Sequence, residues 1–341
     1  MSILVTGGAG YIGSQFVHAL LDAGHDDVVV VDNLSTGTRE AIPAKTDFFI
    51  ADVGHRDRMA EIISRHSVDT VAHFAGSIIV PESVADPLKY YGNNTSQSRN
   101  LIEVAVAAGV RHFVFSSTAA VYGHCGSEPI SEASPVSPVS PYGWSKLMSE
   151  QMLRDVGQAH DMRYAILRYF NVAGADPLGR TGQRNPNATH LIKKALLAAT
   201  GQSDGLVVFG TDYETADGTA VRDYIHVSDL ASAHVDAVRY LRGGGPSQVL
   251  NCGYGVGSSV LDVIKTVKRV SGLDFPVEYS GRRPGDVCSV IAEASSLRRI
   301  LKWTPKRDRL EDIVADALSW QRGEVLAHRA EAQDGLGVSA A

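Results

Sequence analysis

Apolar residues follow two rhythms along the first half of the chain. Short, near-continuous runs at 3–6, 28–32, 48–51, 70–74, 112–116 and 164–169 are rich in Val, Ile, Phe and Tyr. Such runs suit parallel strands buried on both faces. Between them lie stretches of helical spacing. In 11–23 the apolar positions Ile12, Phe16, Ala19, Leu20 and Ala23 recur three and four apart, and Gly24 ends the run. Residues 95–108 read as helix, stopped by Gly109. Strand alternating with helix predicts right-handed βαβ units in a doubly wound, parallel α/β sheet.

After Asn171 the rhythm breaks. Residues 173–190 are rich in Gly, Pro, Asn and Arg and read as a domain crossing. Helices are expected at 191–199, 227–241 and 260–272, and short strands at 206–209 and 248–251. The resulting division is a dinucleotide-type domain over 1–172 with a return at about 223–245, a smaller α/β domain over 173–325, and a frayed tail over 326–341. Residues 126–141 hold four prolines and five serines. A helix carrying candidate chemistry begins at once after them, so they read as a loop over a site rather than a linker.

The 341 residues carry a net charge of −6, with 44% hydrophobic and 21% charged residues. That composition is globular and excludes disorder. Without a basic excess, nucleic acid is not an expected partner. Three cysteines without CxxC spacing, and no HExxH among twelve histidines, leave no metal site to expect. No signal-peptide pattern or membrane-length apolar run is seen, so a cytoplasmic location is expected.

The first strand runs into Gly7-Gly8-Ala9-Gly10-Tyr11-Ile12-Gly13 and then a helix. Glycines let the backbone turn tightly against a pyrophosphate, and the helix N-terminus offers N–H groups and a positive partial charge. Asp32 follows 19 residues beyond Gly13, at a strand end. A carboxylate there accepts from ribose hydroxyls and repels a 2′-phosphate, which favours NAD over NADP. Together these define a Rossmann-type domain.

Tyr142 and Lys146 are spaced i, i+4, hence on one helix face. Bringing a phenol from about 10 to about 7 requires roughly 4 kcal/mol. A nearby ammonium supplies a term of that order at an effective dielectric of about 20. Upstream, Ser116-Ser117-Thr118 puts hydroxyls at the carboxyl end of a strand, where such sheets bind ligands. Trp144, in the same helix, reads as a core residue. His226 reads as structural.

Through these motifs the chain resembles the extended short-chain dehydrogenase/reductases and, within them, the UDP-glucose (UDP-galactose) 4-epimerases. The stretches that carry the resemblance are VTGGAGYIGS, VVDNLSTG, HFAGS, SSTAAVYG, SPYGWSK, LRYFNVAGA, FGTDYETADGTAVRDYIHVSDLA and RRPGD. It covers about residues 2–325. It implies NAD retained through the reaction, Tyr142 taking the proton from the sugar O4 as hydride leaves C4, and hydride returning to the other face. Lys146 would hold the nicotinamide ribose and lower the Tyr142 pKa, and Thr118 would bond O4. The resemblance assigns the cofactor to Gly7, Gly10, Tyr11, Ile12, Gly13, Asp32, Asn33, Asp52, Val53, Phe74, Ala75, Asn93, Ser116, Tyr142, Lys146 and Tyr169. It assigns the UDP-sugar to Thr118, Tyr142, Asn171, His190, Leu191, Phe209, Arg222, Arg283, Asp286 and Val290. It also implies a homodimer, with 95–108 and 142–157 as interface helices.

Three positions depart from many such relatives. Ile78 stands where they carry a lysine near the nicotinamide ribose. Thr189-His190-Leu191 replaces Asn-Asn-Leu. Val290 stands where several carry tyrosine near the sugar C2 substituent, which leaves room for an N-acetyl group. Three rivals remain at this point: a 4-epimerase of another UDP-sugar (UDP-xylose/UDP-arabinose or UDP-glucuronate), a UDP-sugar dehydratase or decarboxylase, and a non-catalytic NAD-binding regulator. The lyases place acids just after the threonine, where this chain has Ala119 and Ala120. A regulator would be expected to have lost the Tyr or the Lys.

Overall fold

The computed structural model describes residues 1–337 apart from 124, 125, 127, 186, 187, 284 and 285, with the backbone alone over 325–337. Its first half alternates β1 (Ser2–Thr6), α1 (Tyr11–Asp22), β2 (Val28–Asp32), β3 (Asp47–Ile50), α2 (Arg56–Arg65), β4 (Val68–His73), α3 (Val80–Ala85), α4 (Pro87–Tyr90), α5 (Gln97–Ala107), β5 (His112–Thr118), α6 (Pro141–Ala159) and β6 (Arg163–Tyr169). Then come β7 (Asn171–Ala173), α7 (Leu191–Ala199), β8 (Leu206–Phe209), β9 (Val221–His226), α8 (Val227–Arg242), β10 (Gln248–Cys252), β11 (Gly257–Ser259), α9 (Val260–Ser271), β12 (Val277–Ser280), β13 (Ser289–Val290), α10 (Ser295–Leu301) and α11 (Leu310–Gly337).

Seven parallel strands form the main sheet in the order β10-β6-β5-β4-β1-β2-β3. The apolar runs of the inner strands are buried on both faces, as in the fully buried VVVVD of β2, whereas the edge strand β3 is only partly buried. The order reverses between β1 and β4, and the crevice at that switch point is where such sheets take ligands. The second half returns to this sheet twice. Helix α8 packs on α1, and β10 adds beside β6 with Cys252 opposite Tyr169. A separate small sheet runs β11-β9-β13, with β7 also on β9. There Val290 is in register with Arg222.

Several details differ from the sequence reading. The expected helix over 95–108 starts at Gln97, after a π-helical turn at Tyr91–Ser96. Helix α2 went unread because only Met59, Ile62 and Ile63 of its ten residues are buried. The backbone of α11 stays helical to Gly337, beyond the start of the expected frayed tail. Trp144 is 42% exposed, not core: its helix buries the Tyr142–Lys146–Glu150 face and turns Trp144 outward.

Candidate active site

The glycine turn meets the ends of β1 and β4. Gly7 sits at φ +70°, and a Cβ there would lie 2.7 Å from Ala75 Cα. Phe74 and Ala75 donate their backbone N–H groups to the Thr6 carbonyl, at 2.9 and 3.1 Å. A Cβ on Gly13 would stand 2.9 Å from the Gly7 carbonyl carbon. Glycine is therefore required at both places by sterics. Gly10 precedes α1, and no side chain caps that helix, so its first-turn N–H groups at Tyr11, Ile12 and Gly13 are left for a ligand.

Asp32 braces this turn. Its carboxylate accepts from Ala9 N–H at 2.9 Å and Leu34 N–H at 2.8 Å. Burial pushes its pKa up, and those two hydrogen bonds hold it back. On the adjoining rim, Asp52 accepts from Gly54 N–H at 2.8 Å and Gln97 Nε2 at 3.3 Å, with Asn33 Nδ2 at 3.5 Å. Val53 beside it is buried.

The π-helical turn carries Asn93 and Asn94 to the crevice. Asn93 Nδ2 donates to Ser77 Oγ at 3.0 Å. Asn94, which the sequence reading missed, is buried and has more partners. Its Oδ1 accepts from Ser77 N–H at 2.7 Å, and its Nδ2 donates to the Ser77 carbonyl at 2.9 Å and to Ser145 Oγ at 3.1 Å. It thus ties the loop after β4 to α6. His73 was also missed. Its ring bridges Thr6 Oγ1 and Ser98 Oγ, each at 2.7 Å, and burial holds it neutral, with a pKa of about 3. The pairing of these residues is invisible in a lone sequence, although His73 heads the HFAGS stretch. Ile78 is exposed on the rim of that loop.

Ser140 caps α6, accepting from Gly143 N–H at 3.2 Å, and Pro141 begins the helix. This sets Tyr142 and Lys146 one turn apart facing β5. The Thr118 side chain stands beside the Tyr142 hydroxyl and acts to lower its pKa. Thr118 Oγ1 accepts from Ala120 N–H at 3.1 Å. The Tyr169 hydroxyl meets His234 Nε2 at 2.9 Å. Lys146 is buried with its ammonium 4.7 Å over the Phe115 ring. It takes no hydrogen bond among the described residues.

In the protein alone, burial pushes the Tyr142 phenol above its ordinary value, with Thr118 acting to lower it. Lys146 itself is pulled down to about 8 by burial, with Glu150 acting in the opposite direction.

The other group of predicted residues lies around β9. Arg222 Nη1 donates to the Val221 carbonyl at 2.8 Å, and burial pulls its pKa down. Arg283 donates to Asp286 at 2.9 Å and lies 4.8 Å over the Phe209 ring. Tyr213, unpredicted, keeps a buried hydroxyl without a partner among the described residues. Asn171 opens β7, opposite Tyr224 on β9. Val290 packs against the apolar cluster that includes Phe170 and Ala292, as do Ala119 and Leu147, and is in register with Arg222. His190 caps α7, next to the partly buried Leu191, and lines a cavity of about 30 Å³ with Tyr11, Gly174, Trp320 and Gln321. His226 is buried and caps α8, as a structural residue should.

The crevice fits a dinucleotide. It has a glycine turn that a Cβ would fill, an uncapped helix N-terminus, a carboxylate at the end of β2 and an unpartnered buried ammonium. These features define a nucleotide-dependent α/β enzyme with a tyrosine–lysine centre.

Comparison with known proteins agrees. Residues 3–253 match the NAD dependent epimerase/dehydratase family. A UDP-glucose 4-epimerase of Azospirillum brasilense is 57% identical over 94% of this chain and 92% of that protein. The crystal structure of UDP-glucose 4-epimerase from Brucella ovis in complex with NAD superposes with a TM-score of 0.90 at 40% identity, covering 93% of this chain and 97% of that one. The UDP-Glc/GlcNAc 4-epimerase of Campylobacter jejuni gives 0.83 at 47% identity, over 94% and 99%. The chain belongs to the NAD dependent epimerase/dehydratase family and, within it, to the UDP-glucose 4-epimerases.

Proposed function

We propose that the protein is an isomerase that interconverts UDP-galactose and UDP-glucose by inverting C4, with NAD held throughout. The observation that carries this reading is the buried Tyr142 beside Thr118, with the Lys146 ammonium one helical turn away over the Phe115 ring, beside the glycine-turn crevice. When bound, NAD supplies the acceptor and later the donor of the C4 hydride, and in its oxidised form a positive ring. Gly7, Gly10, Tyr11, Ile12 and Gly13 would hold its pyrophosphate, Asp32 a ribose, and Lys146 the second ribose. Tyr142 takes the O4 proton and returns it, and Thr118 orients O4. Arg222 and Arg283 suit a diphosphate because their forked donors bind phosphate oxygens bidentately.

Elimination lacks its acid and base. Alanine occupies both positions after Thr118, and Ala119 packs against the same apolar cluster as Val290. Incubation with UDP-galactose and no added NAD, followed by proton NMR, is expected to yield UDP-glucose at a fixed final ratio. Production of a 4-keto-6-deoxy sugar would refute the reading.

The small Val290 wall also supports acceptance of an acetamido group at C2. UDP-N-acetylglucosamine is expected to turn over within about tenfold of UDP-glucose; no turnover would remove this extension.

We further infer a cytoplasmic homodimer that pairs α5 and α6. Trp144 and Met148, one turn apart on α6, are each 42% exposed, and an apolar strip of this kind marks an interface. Light scattering should give twice the chain mass, and a monomer at micromolar concentration would contradict it. Among the described residues no helix is long and apolar enough to cross a membrane, and Cys252 and Cys288 are free thiols, in keeping with a reducing compartment. Cell fractionation checks the location, and recovery from a secreted or membrane fraction would refute it.

A further inference from the structure

Tyr142, Lys146 and Glu150 follow one another at four-residue spacing, hence on one face of α6. Glu150 is 0% and Arg168 1% exposed by side chain. The Glu150 carboxylate accepts from Ser117 Oγ, from Arg168 Nε at 2.9 Å and from Arg168 Nη2. Arg168 Nη1 donates to the Tyr122 hydroxyl at 2.9 Å, which donates to Asn251 Oδ1 at 2.7 Å. Asn251 Nδ2 reaches the Ile130 carbonyl at 2.8 Å, and Ile130 N–H donates to the Ile291 carbonyl at 2.8 Å.

Each end of this chain of bonds stops one residue short of the site. Ser117 precedes Thr118, Arg168 precedes Tyr169, and Ile291 follows Val290. A buried ion pair of this kind is weak as a source of stability, since apolar replacements of similar volume are often neutral or better. Its placement points to another role.

We propose that Glu150 is a positioning residue of the reaction centre. Its carboxylate locks the Tyr142–Lys146 face of α6 onto the strand ends carrying Thr118 and Tyr169, and sets a compensating negative charge behind the Lys146 ammonium. The groups facing Lys146 are Tyr142 and Glu150 on its own helix, the neutral His73 on β4 and the Phe115 ring on β5. Arg154 and Arg168 reach it only through Glu150. Glu150 is then the one anion among them, and it keeps Lys146 protonated against the pull of burial. Removing its charge lets Lys146 lose its proton at lower pH, so the alkaline limb of the activity moves down.

The inference rests on the epimerase reading, and the test separates the two. Wild-type turnover of UDP-galactose tests the reading alone. The Glu150 role is read from the ¹³Cε NMR shift of Lys146 in lysine-labelled protein, assigned by its loss in Lys146→Arg. In Glu150→Gln the titration midpoint should fall by about one pH unit. kcat at pH 8 should then drop about fivefold, with KM for UDP-galactose within about twofold. The double variant Glu150→Gln, Arg168→Met removes both buried charges and carries the test if the single variant fails to fold. It should show the same lowered midpoint, because the compensating charge is gone while packing is kept. An unchanged midpoint in either variant, or its restoration in the double variant, would overturn the proposal.

Discussion

Tyr142→Phe lowers turnover of UDP-galactose by about a thousandfold, within the range that one positioned acid–base group contributes. The fold and the bound NAD are expected to survive. The ring keeps its edge contact with Tyr90, at 6.4 Å between centroids, and only the hydroxyl beside Thr118 is lost. Steady-state rates on UDP-galactose, with NAD content read after acid release, check both halves. A variant that retains more than a tenth of wild-type kcat would remove Tyr142 from the proton path. The phenol of the protein alone is held above its ordinary value by burial. The residue is therefore a poor base in the protein alone, and positive charge from Lys146 and the oxidised cofactor would act to lower its pKa.

Gly7→Ala has the other large effect, and it acts on binding and stability rather than chemistry. The backbone at Gly7 is left-handed, and an added Cβ would press on the backbone of Ala75. A flexible side chain could yield, but a strand end cannot. Strain and displacement together are expected to cost about 3 kcal/mol, read as a lower urea midpoint with an unchanged slope. The purified variant should also carry little NAD, because the same shift moves the turn away from the N-terminus of α1. A variant of wild-type stability and full NAD content would show that the crevice tolerates a side chain there.

Much of this was legible in the sequence because the first half follows one physical rule. Parallel strands buried on both faces carry apolar runs, and β1, β2, β4, β5 and β6 each hold one. The glycine turn, Asp32 and the Tyr142–Lys146 spacing were readable because each is local. The second half was harder. Strands β7, β11 and β13 are two or three residues long and exist through their pairing with the longer β9, which periodicity cannot supply. The pairing of Glu150 with Arg168 could not be read from the sequence. They are buried because they meet across α6 and β6. Trp144 failed in the opposite sense, since a large aromatic reads as core until the helix face opposite Tyr142 is known. The height of the Tyr142 pKa was out of reach for the same reason, because burial is a property of the folded chain.

The central claim is that hydride leaves and returns to the same sugar carbon without exchange with solvent. UDP-galactose carrying deuterium at C4, incubated with the protein in ordinary water and no added NAD, tests it most directly. The account predicts UDP-glucose with the deuterium still at C4. Conversion with protium at C4 would contradict it, as would conversion that waits on stoichiometric added NAD.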